Sequence, residues 1–300
     1  MLSPMTRVGV VGLGNIGGAI AANLAADGHE VRVTDLDRAR ADGIVGATAV
    51  ATVGDVAKGS EITFTSLPTP EVVAAVAAEW AASAEQGAIL VDLSTTLPAA
   101  NRKIAAELAA GGHHFVEAPL TGGAIGAQGR SLVFMVGGDT KAVDRVVPLL
   151  DQLGRATFRM GPVGTGTTMK LVNSLLAFAC TWASLEALSM AVSAGVDVRT
   201  AVEVVRTGGA SNFFIDRAVE GINQRNKPVQ FALELAAKDA GLIQQVASEA
   251  GVSASIAAAM VEVLSDVVAR GLGDHDWGDL VLAAEARGGV ELTIAPKAEA

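Results

Sequence analysis

The sequence predicts an α/β protein whose first part is a doubly wound parallel sheet and whose second part is entirely helical. Three observations support this prediction. The β-rich run Arg7–Val11 leads directly into the glycine-rich segment Gly12–Gly17, strand-like and helical segments alternate as far as Met160, and only helical patterns follow Gly166. We therefore expect a dinucleotide-binding domain of the Rossmann type over residues 1–163, a long interdomain helix over 164–194 and a helical C-terminal domain over 195–300.

The glycine-rich segment has the spacing Gly-x-Gly-x-x-Gly between a strand and a helix, and Asp35 ends the next strand. Such glycines permit a tight turn and let the backbone approach a pyrophosphate at the helix amino terminus. The acid accepts hydrogen bonds from the adenosine ribose and repels a 2′-phosphate, so Asp35 predicts NAD. Arg38, which could reach such a phosphate, keeps NADP as the alternative. The candidate cofactor residues of this region are Gly12, Leu13, Gly14, Asn15, Ile16, Gly17 and Asp35.

The alternation continues in chain order. We expect strands over 61–65, 88–92, 115–117, 131–136 and 156–160, and helices over 71–82, up to 110, and over 141–153. Ser66, Ser94 and Thr121 follow three of these strands, and ligands gather at the carboxyl ends of parallel strands. Asp92, taken alone, indicates a helix cap or a turn acid. Residues 124–129 indicate a glycine-rich loop, which either holds an anion or is an ordinary connector.

The long helix carries the first candidates for chemistry. Lys170 is the one charged residue between Arg159 and Glu186, and Asn173 lies three residues on, hence on the same helix face. Burial of an ammonium lowers its pKa towards a range useful for proton transfer. The alternative is a lysine at a helix start that extends past an apolar stem to water. The apolar run 171–185 is shorter than a membrane span and contains polar residues, so no membrane contact is expected.

The remaining helices are expected near 199–206, 231–250, 255–270 and 277–286. Lys238 lies on the apolar stripe of the second of these, where it fits either a snorkelling or paired charge or a second site lysine. Trp182 and Trp277 are expected in the core or at a subunit interface.

Composition excludes several functions. The 300 residues carry a net charge of −10 and no basic cluster, which argues against a nucleic-acid partner. Cys180 is the single cysteine and fits a core residue, so disulfides are not expected. The uncharged run from Val8 to Ala26 contains too many glycines for a signal segment. We expect a cytoplasmic protein without a metal site.

These motifs together resemble the β-hydroxyacid dehydrogenase family, which includes 3-hydroxyisobutyrate dehydrogenase and tartronate semialdehyde reductase. The similarity runs essentially end to end, through the glycine-rich segment with 23–24, Leu67-Pro68, 92–98, 118–123, 164–166 with Lys170 and Asn173, and 238–239. It implies an NAD-dependent enzyme, a small carboxylic-acid substrate, and a homodimer or homotetramer formed with the help of the C-terminal domain.

The resemblance also implies residue roles. Lys170 is the general acid/base, and Asn173 orients it or the substrate. Lys238 lies beside the nicotinamide and the substrate. The substrate carboxylate would be held by Ser94, Thr121, Gly122 and Gly123, and further cofactor contacts would come from Leu67, Pro68 and Thr95.

Two departures from the family pattern bear on the substrate. Thr121 stands where serine is more usual and adds a methyl group, and Ser174 stands where many members have a second asparagine. The expected substrates are compact β-hydroxy acids such as 3-hydroxyisobutyrate or glycerate, or the corresponding semialdehydes. One alternative is an imine reductase of the same architecture, against which Lys170 and Asp35 count. Another is a non-catalytic dinucleotide-binding sensor, which would need the cofactor loop but not the acid/base residues.

Overall fold

The computed structural model describes residues 5–294. The chain divides into two compact units, Met1–Leu171 and Val172–Ala300. This division falls inside the segment predicted as the interdomain helix. Each unit is described by itself.

The first unit is built on a nine-stranded sheet, with strand order β3-β2-β1-β4-β5-β6-β8-β7 and β9 paired to β8. The strands are β1 (Arg7–Val11), β2 (Glu30–Thr34), β3 (Thr48–Ala49), β4 (Ile62–Thr65), β5 (Ile89–Asp92), β6 (His114–Glu117), β7 (Leu120–Thr121), β8 (Leu132–Gly138) and β9 (Gly154–Gly161). Its helices are α1 (Gly17–Ala26), α2 (Arg38–Asp42), α3 (Val53–Lys58), α4 (Pro70–Ala81), α5 (Pro98–Ala110), α6 (Gly123–Gln128) and α7 (Thr140–Leu153).

The sheet is covered on both faces, as a doubly wound fold requires. Ile89 and Val91 of β5 pack in one hydrophobic cluster, and Leu90 between them packs in another. Because successive side chains of a strand point to opposite faces, the two clusters lie on opposite sides of the sheet. The predicted α/β class is therefore confirmed.

The sheet is not parallel throughout. Strands β1 to β6 pair in parallel, but β8 runs antiparallel to β6 and to β7. The reason lies between Thr121 and Leu132, where the short helix α6 turns the chain back beside β7 rather than crossing the sheet. The expectation of a parallel sheet holds for the cofactor side of the sheet and fails at its other end.

The predicted glycine-rich loop over 124–129 is wrong, because α6 occupies most of it. Gly122 and Gly123 have φ angles of 124° and 62°, conformations that favour glycine, and they form the turn before the helix. Gly126 then packs closely: a Cβ there would lie 3.3 Å from Leu132 Cδ2. The glycines of this segment therefore serve a turn and a close helix–strand contact.

The second unit is helical. Helix α8 (Thr165–Ser193) begins in the first unit, and the others are α9 (Val198–Thr207), α10 (Phe213–Asn223), α11 (Leu233–Glu249), α12 (Ser255–Ala269), a 3₁₀ turn (Trp277–Asp279) and α13 (Leu280–Gly288). Helix α10 was not predicted from the sequence. Trp277 packs against Phe178, with ring centroids 4.9 Å apart, and Trp182 is buried.

Helix α8 begins and ends within one residue of the segment predicted as the interdomain helix. It has 29 residues and begins at Thr165. Gly166 lies in its first turn, where a Cβ would collide with the Met135 carbonyl of β8. By length and composition alone α8 could cross a membrane, so the length argument against a membrane span does not hold. The core helix of a soluble protein has the same length and composition. Thr181, Ser184 and Ser189 each donate to a backbone carbonyl four residues earlier, which satisfies their hydroxyl groups within the helix.

Candidate active site

The glycine-rich turn joins β1 to α1, and its three glycines are glycines for different reasons. Gly12 has φ 87°, and a Cβ there would collide with the Ser66 carbonyl. A Cβ on Gly17 would collide with the Gly12 carbonyl, so that glycine permits the close approach of α1. A Cβ on Gly14 would meet no protein atom within 4 Å. Packing does not require glycine at 14, and close approach of a pyrophosphate to the backbone does.

Asp35 is held against this turn. Its Oδ2 accepts from the Leu13 N–H at 2.6 Å and its Oδ1 accepts from the Asp37 N–H at 2.8 Å. Arg38 is turned to Asp42, with 2.9 Å between Nε and Oδ1, and Leu36 is fully exposed. The carboxylate is thus fixed at the carboxyl end of β2, next to the loop, where a ribose would be bound. These residues fit a dinucleotide.

A hydrogen-bonded chain links the carboxyl ends of β4 and β5. Asp92 Oδ1 accepts from Thr65 Oγ1 at 2.8 Å and from Ser94 Oγ at 2.6 Å, and Ser94 Oγ accepts from the Leu67 N–H at 2.9 Å. Ser94 is 6% exposed. Its hydroxyl proton is directed at Asp92. The structure therefore gives Ser94 a part in fixing the Leu67-Pro68 turn, in addition to the substrate contact predicted for it.

Asp92 itself is 1% exposed, and its Oδ2 has no hydrogen-bond partner among residues 5–294. Burial raises the pKa of this carboxyl, and the neighbouring Glu117 carboxylate raises it further, against the lowering effect of the Ser94 and Thr65 hydrogen bonds. The sequence indicated a helix cap or a turn acid, but Asp92 also joins the ends of β4 and β5 through its hydrogen bonds to Thr65 and Ser94.

This raised pKa predicts a pH-dependent difference in stability between the protein and its Asp92→Asn variant. A carboxyl whose folded pKa is raised contributes stability that is present below its unfolded value, about 4, and is lost as the pH rises through the folded pKa. As the pH is lowered towards 4, the free energy of unfolding of the unmodified protein should therefore rise relative to that of the variant. Urea denaturation of both proteins across this range measures it, and a constant difference would contradict the assignment.

The Thr121–Gly123 segment lies at the end of β7. Thr121 is partly buried, and Gly122 and Gly123 are exposed. These glycines form the turn between β7 and α6. Three of the donors predicted for a carboxylate are thus on one short segment, whereas the fourth, Ser94, follows β5. Thr95 comes next and is partly buried.

Lys170 is partly buried in the second turn of α8. Asn173 follows it on the same continuous helix, three residues on, and belongs to the second unit. Lys238 is on α11 of the second unit, where its Nζ lies 3.0 Å from Oδ1 of the buried Asp239. Among residues 5–294 no group of three or more His, Cys, Asp or Glu side chains could hold a metal ion.

Sequence reasoning missed Glu117, a fully buried carboxylate at the end of β6. Its Oε1 accepts from the Gly164 and Gly166 N–H groups, both at 2.7 Å, and its Oε2 accepts from Asn101 Nδ2 at 2.9 Å and Thr167 Oγ1 at 2.8 Å. The available signal was an acid at the end of an apolar strand. Its partners lie 47 and 49 residues along the chain, so nothing local pointed to them.

Comparisons with known proteins agree with this geometry. Residues 7–161 match the family described as "NAD binding domain of 6-phosphogluconate dehydrogenase", and residues 164–283 match "NAD-binding of NADP-dependent 3-hydroxyisobutyrate dehydrogenase". The chain is 31% identical to 2-(hydroxymethyl)glutarate dehydrogenase of Eubacterium barkeri, over 96% of this chain and 97% of the relative. It is 31% identical to 2-hydroxy-3-oxopropionate reductase of Escherichia coli, over 93% and 97%.

A solved structure of 3-hydroxyisobutyrate dehydrogenase from Mycobacterium tuberculosis with L-serine superposes with a TM-score of 0.86 at 26% identity, covering 93% of this chain and 98% of that one. The dinucleotide turn, the helical second unit and these end-to-end similarities lead to one conclusion. The chain belongs to the β-hydroxyacid dehydrogenase family and is an NAD(P)-dependent dehydrogenase.

Proposed function

We propose that this protein transfers a hydride between NAD and a small β-hydroxy acid of the 3-hydroxyisobutyrate or glycerate type, with Lys170 as general acid/base. The observation that carries the proposal is the position of Lys170. It is partly buried in the second turn of a helix whose amino end is fixed to the sheet through Glu117. A rigidly placed amine suits proton transfer, which needs the donor and acceptor within hydrogen-bond reach.

The chemistry divides between the cofactor and the chain. A nicotinamide cofactor, when bound, would supply the hydride chemistry at the carbon that carries the hydroxyl group. Lys170, in its neutral form, takes the hydroxyl proton during oxidation and gives it back during reduction. Asn173 would orient the lysine or the substrate from one turn further along α8. Lys238 would add positive charge beside the nicotinamide and the substrate.

The Thr121–Gly123 segment would hold the substrate carboxylate, through the Thr121 hydroxyl and the Gly122 and Gly123 amides. Ser94 would join them by turning its hydroxyl away from Asp92. Hydrogen bonds to a charged group are each worth about 1.5–3 kcal/mol, so three such donors discriminate strongly for an acid. The names of the relatives support this class, since 2-(hydroxymethyl)glutarate and 2-hydroxy-3-oxopropionate are both small carboxylates.

The direct test is to follow NADH formation with a panel of 3-hydroxyisobutyrate, glycerate and 2-(hydroxymethyl)glutarate, and NADPH consumption with a cyclic imine. The proposal expects turnover with at least one compact β-hydroxy acid. Faster reduction of the imine would favour an imine reductase. Tight NAD binding without turnover of any hydroxy acid or semialdehyde would favour a sensor.

A preference for NAD over NADP is the next prediction. Asp35 is fixed by the Leu13 and Asp37 amides and cannot move away from a 2′-phosphate, while Arg38 is paired with Asp42. We expect a kcat/KM ratio that favours NAD, and a shift of that ratio towards NADP in Asp35→Ala combined with Leu36→Arg.

The matched control is Leu36→Ala, which removes the exposed side chain without adding charge. It should keep the preference for NAD. A ratio that favours NADP in the unmodified protein would contradict the role of Asp35 and point to Arg38.

A further inference from the structure

Glu117 is a buried charge that the proposed chemistry does not use. Its hydrogen-bond donors among residues 5–294 are Gly164, Gly166 and Thr167, at or just before the start of α8, and Asn101 of α5; together they are here called the α8 seat. We propose that Glu117 is a positioning residue for Lys170, fixing the first turn of α8 against β6 and balancing the positive end of that helix. This inference rests on the proposed acid/base role of Lys170.

The α8 seat is built closely around the carboxylate. A Cβ on Gly137 would collide with Glu117 Oε1, and one on Gly166 would collide with the Met135 carbonyl. Thr167 is fully buried, and Asn101 is held in turn by the Thr96 hydroxyl, which donates to its Oδ1 at 2.8 Å. Glycine at 137 and 166 is therefore what lets strand and helix come together on Glu117.

The distance along the helix from the seat to the lysine is short. Thr167 gives Glu117 both its N–H and its hydroxyl, and Lys170 follows three residues later on the same face. The Cα–Cβ bonds of a helix tilt towards its amino end, so the Lys170 side chain starts out towards the turn that Glu117 holds. Any shift of that turn moves the amine with it.

Charge couples the two residues as well. The amino end of a helix carries about half a positive charge, which disfavours an ammonium nearby. The Glu117 carboxylate opposes that effect. Other charges near the seat are Asp92, on the neighbouring β5, and Arg102 of α5, which lies against Gly164, while the charged residues of α7 are exposed. Strand β8 contributes no charged residue.

A glutamine cannot replace the glutamate in this seat. Oε1 could still accept from the Gly164 and Gly166 amides, but the other position would place an NH₂ group against the Asn101 NH₂ group. Glu117→Gln therefore removes the charge and disturbs the first turn of α8, with little change in side-chain volume.

The kinetic test compares pH profiles of hydroxy-acid oxidation. For Glu117→Gln we expect kcat to fall about tenfold or more with little change in KM for the substrate, because small misplacements of catalytic groups are costly. The pH midpoint of kcat/KM should also move down by on the order of 0.5 unit. Wild-type kcat and an unmoved midpoint would overturn the proposal.

A second readout needs no turnover. Acylation of Lys170 by an N-hydroxysuccinimide ester, measured by mass spectrometry across pH with the exposed Lys141 as internal reference, reports the charge state of the amine. Its midpoint should also move down in Glu117→Gln. If this midpoint moves but hydroxy acids are not oxidised by either protein, the proposed function fails and the coupling stands. An unmoved labelling midpoint overturns the coupling whatever the activity.

Two further variants keep the inference testable if Glu117→Gln does not fold. Thr167→Val removes one donor to the carboxylate and keeps the Glu117 charge. We expect kcat to fall severalfold while the pH midpoint of kcat/KM stays unmoved. Thr167→Ser keeps the hydroxyl donor and should keep the kcat of the unmodified protein. Thr63→Val is the matched control, since it removes the buried acceptor of Trp80 Nε1 on β4, away from the seat. It should lower stability without changing kcat. Full activity in Thr167→Val, or a Thr63→Val loss as large as that of Thr167→Val, would overturn the positioning role.

Discussion

Replacing Lys170 with alanine is expected to lower kcat by about 10²- to 10⁴-fold, the usual loss when a general acid/base is removed. The lysine is partly buried on α8 and is the one charged residue between Arg159 and Glu186. Cofactor affinity should change little, because the dinucleotide turn lies between β1 and α1 and does not include Lys170. Steady-state kinetics with the best hydroxy acid, together with NADH binding followed by fluorescence, measures both quantities.

Lys141→Ala is the control for this experiment. Lys141 is exposed on α7, and the substitution removes the same charge as Lys170→Ala. It should keep the kcat of the unmodified protein. Near-normal turnover in a folded Lys170→Ala protein would show that another group moves the proton.

The second large effect concerns the substrate carboxylate. Methylation of the acid should lower kcat/KM by on the order of 10²-fold or more, because the Thr121 hydroxyl and the Gly122 and Gly123 amides would lose a charged acceptor. The measurement compares 3-hydroxyisobutyrate, its methyl ester and the corresponding diol. Equal kcat/KM values for the acid and the uncharged analogues would contradict the anion site.

Variants at 121 localise this effect. Thr121→Ser keeps the hydroxyl group and should keep the discrimination against the ester, whereas Thr121→Val replaces it with a methyl group and should reduce it. If the added methyl group of Thr121 also limits the substrate, Thr121→Ser should accept longer acids better.

Much of the first unit could be predicted because its determinants are local. The strand, the Gly-x-Gly-x-x-Gly turn, the helix and Asp35 follow one another within a short segment, and the hydrogen bond from the Leu13 amide to Asp35 shows them assembled. The strand end at Asp92 was also predicted, from an apolar run that stops at polar residues, whereas the short strand β7 was not predicted.

The rest depended on contacts distant in the sequence. Gly166 resembles a turn glycine but lies within α8, where a Cβ would collide with the Met135 carbonyl of β8. Glu117 resembles any acid at a strand end until the amides of Gly164 and Gly166 are brought to it. The commitment of Ser94 to Asp92 and to the Leu67 amide likewise depends on two neighbouring strands and their register.

The three glycines of the dinucleotide turn differ in what their loss would remove. Gly12 and Gly17 are required by the backbone itself, so a side chain at either position conflicts with the fold. A Cβ on Gly14 would meet no protein atom within 4 Å, so a side chain there conflicts only with a ligand that approaches the backbone. Mutational drift can therefore abolish dinucleotide binding at position 14 while the unit stays folded. A descendant of this protein that has kept its architecture for another purpose would be recognised by retention of the first and third glycines and loss of the second.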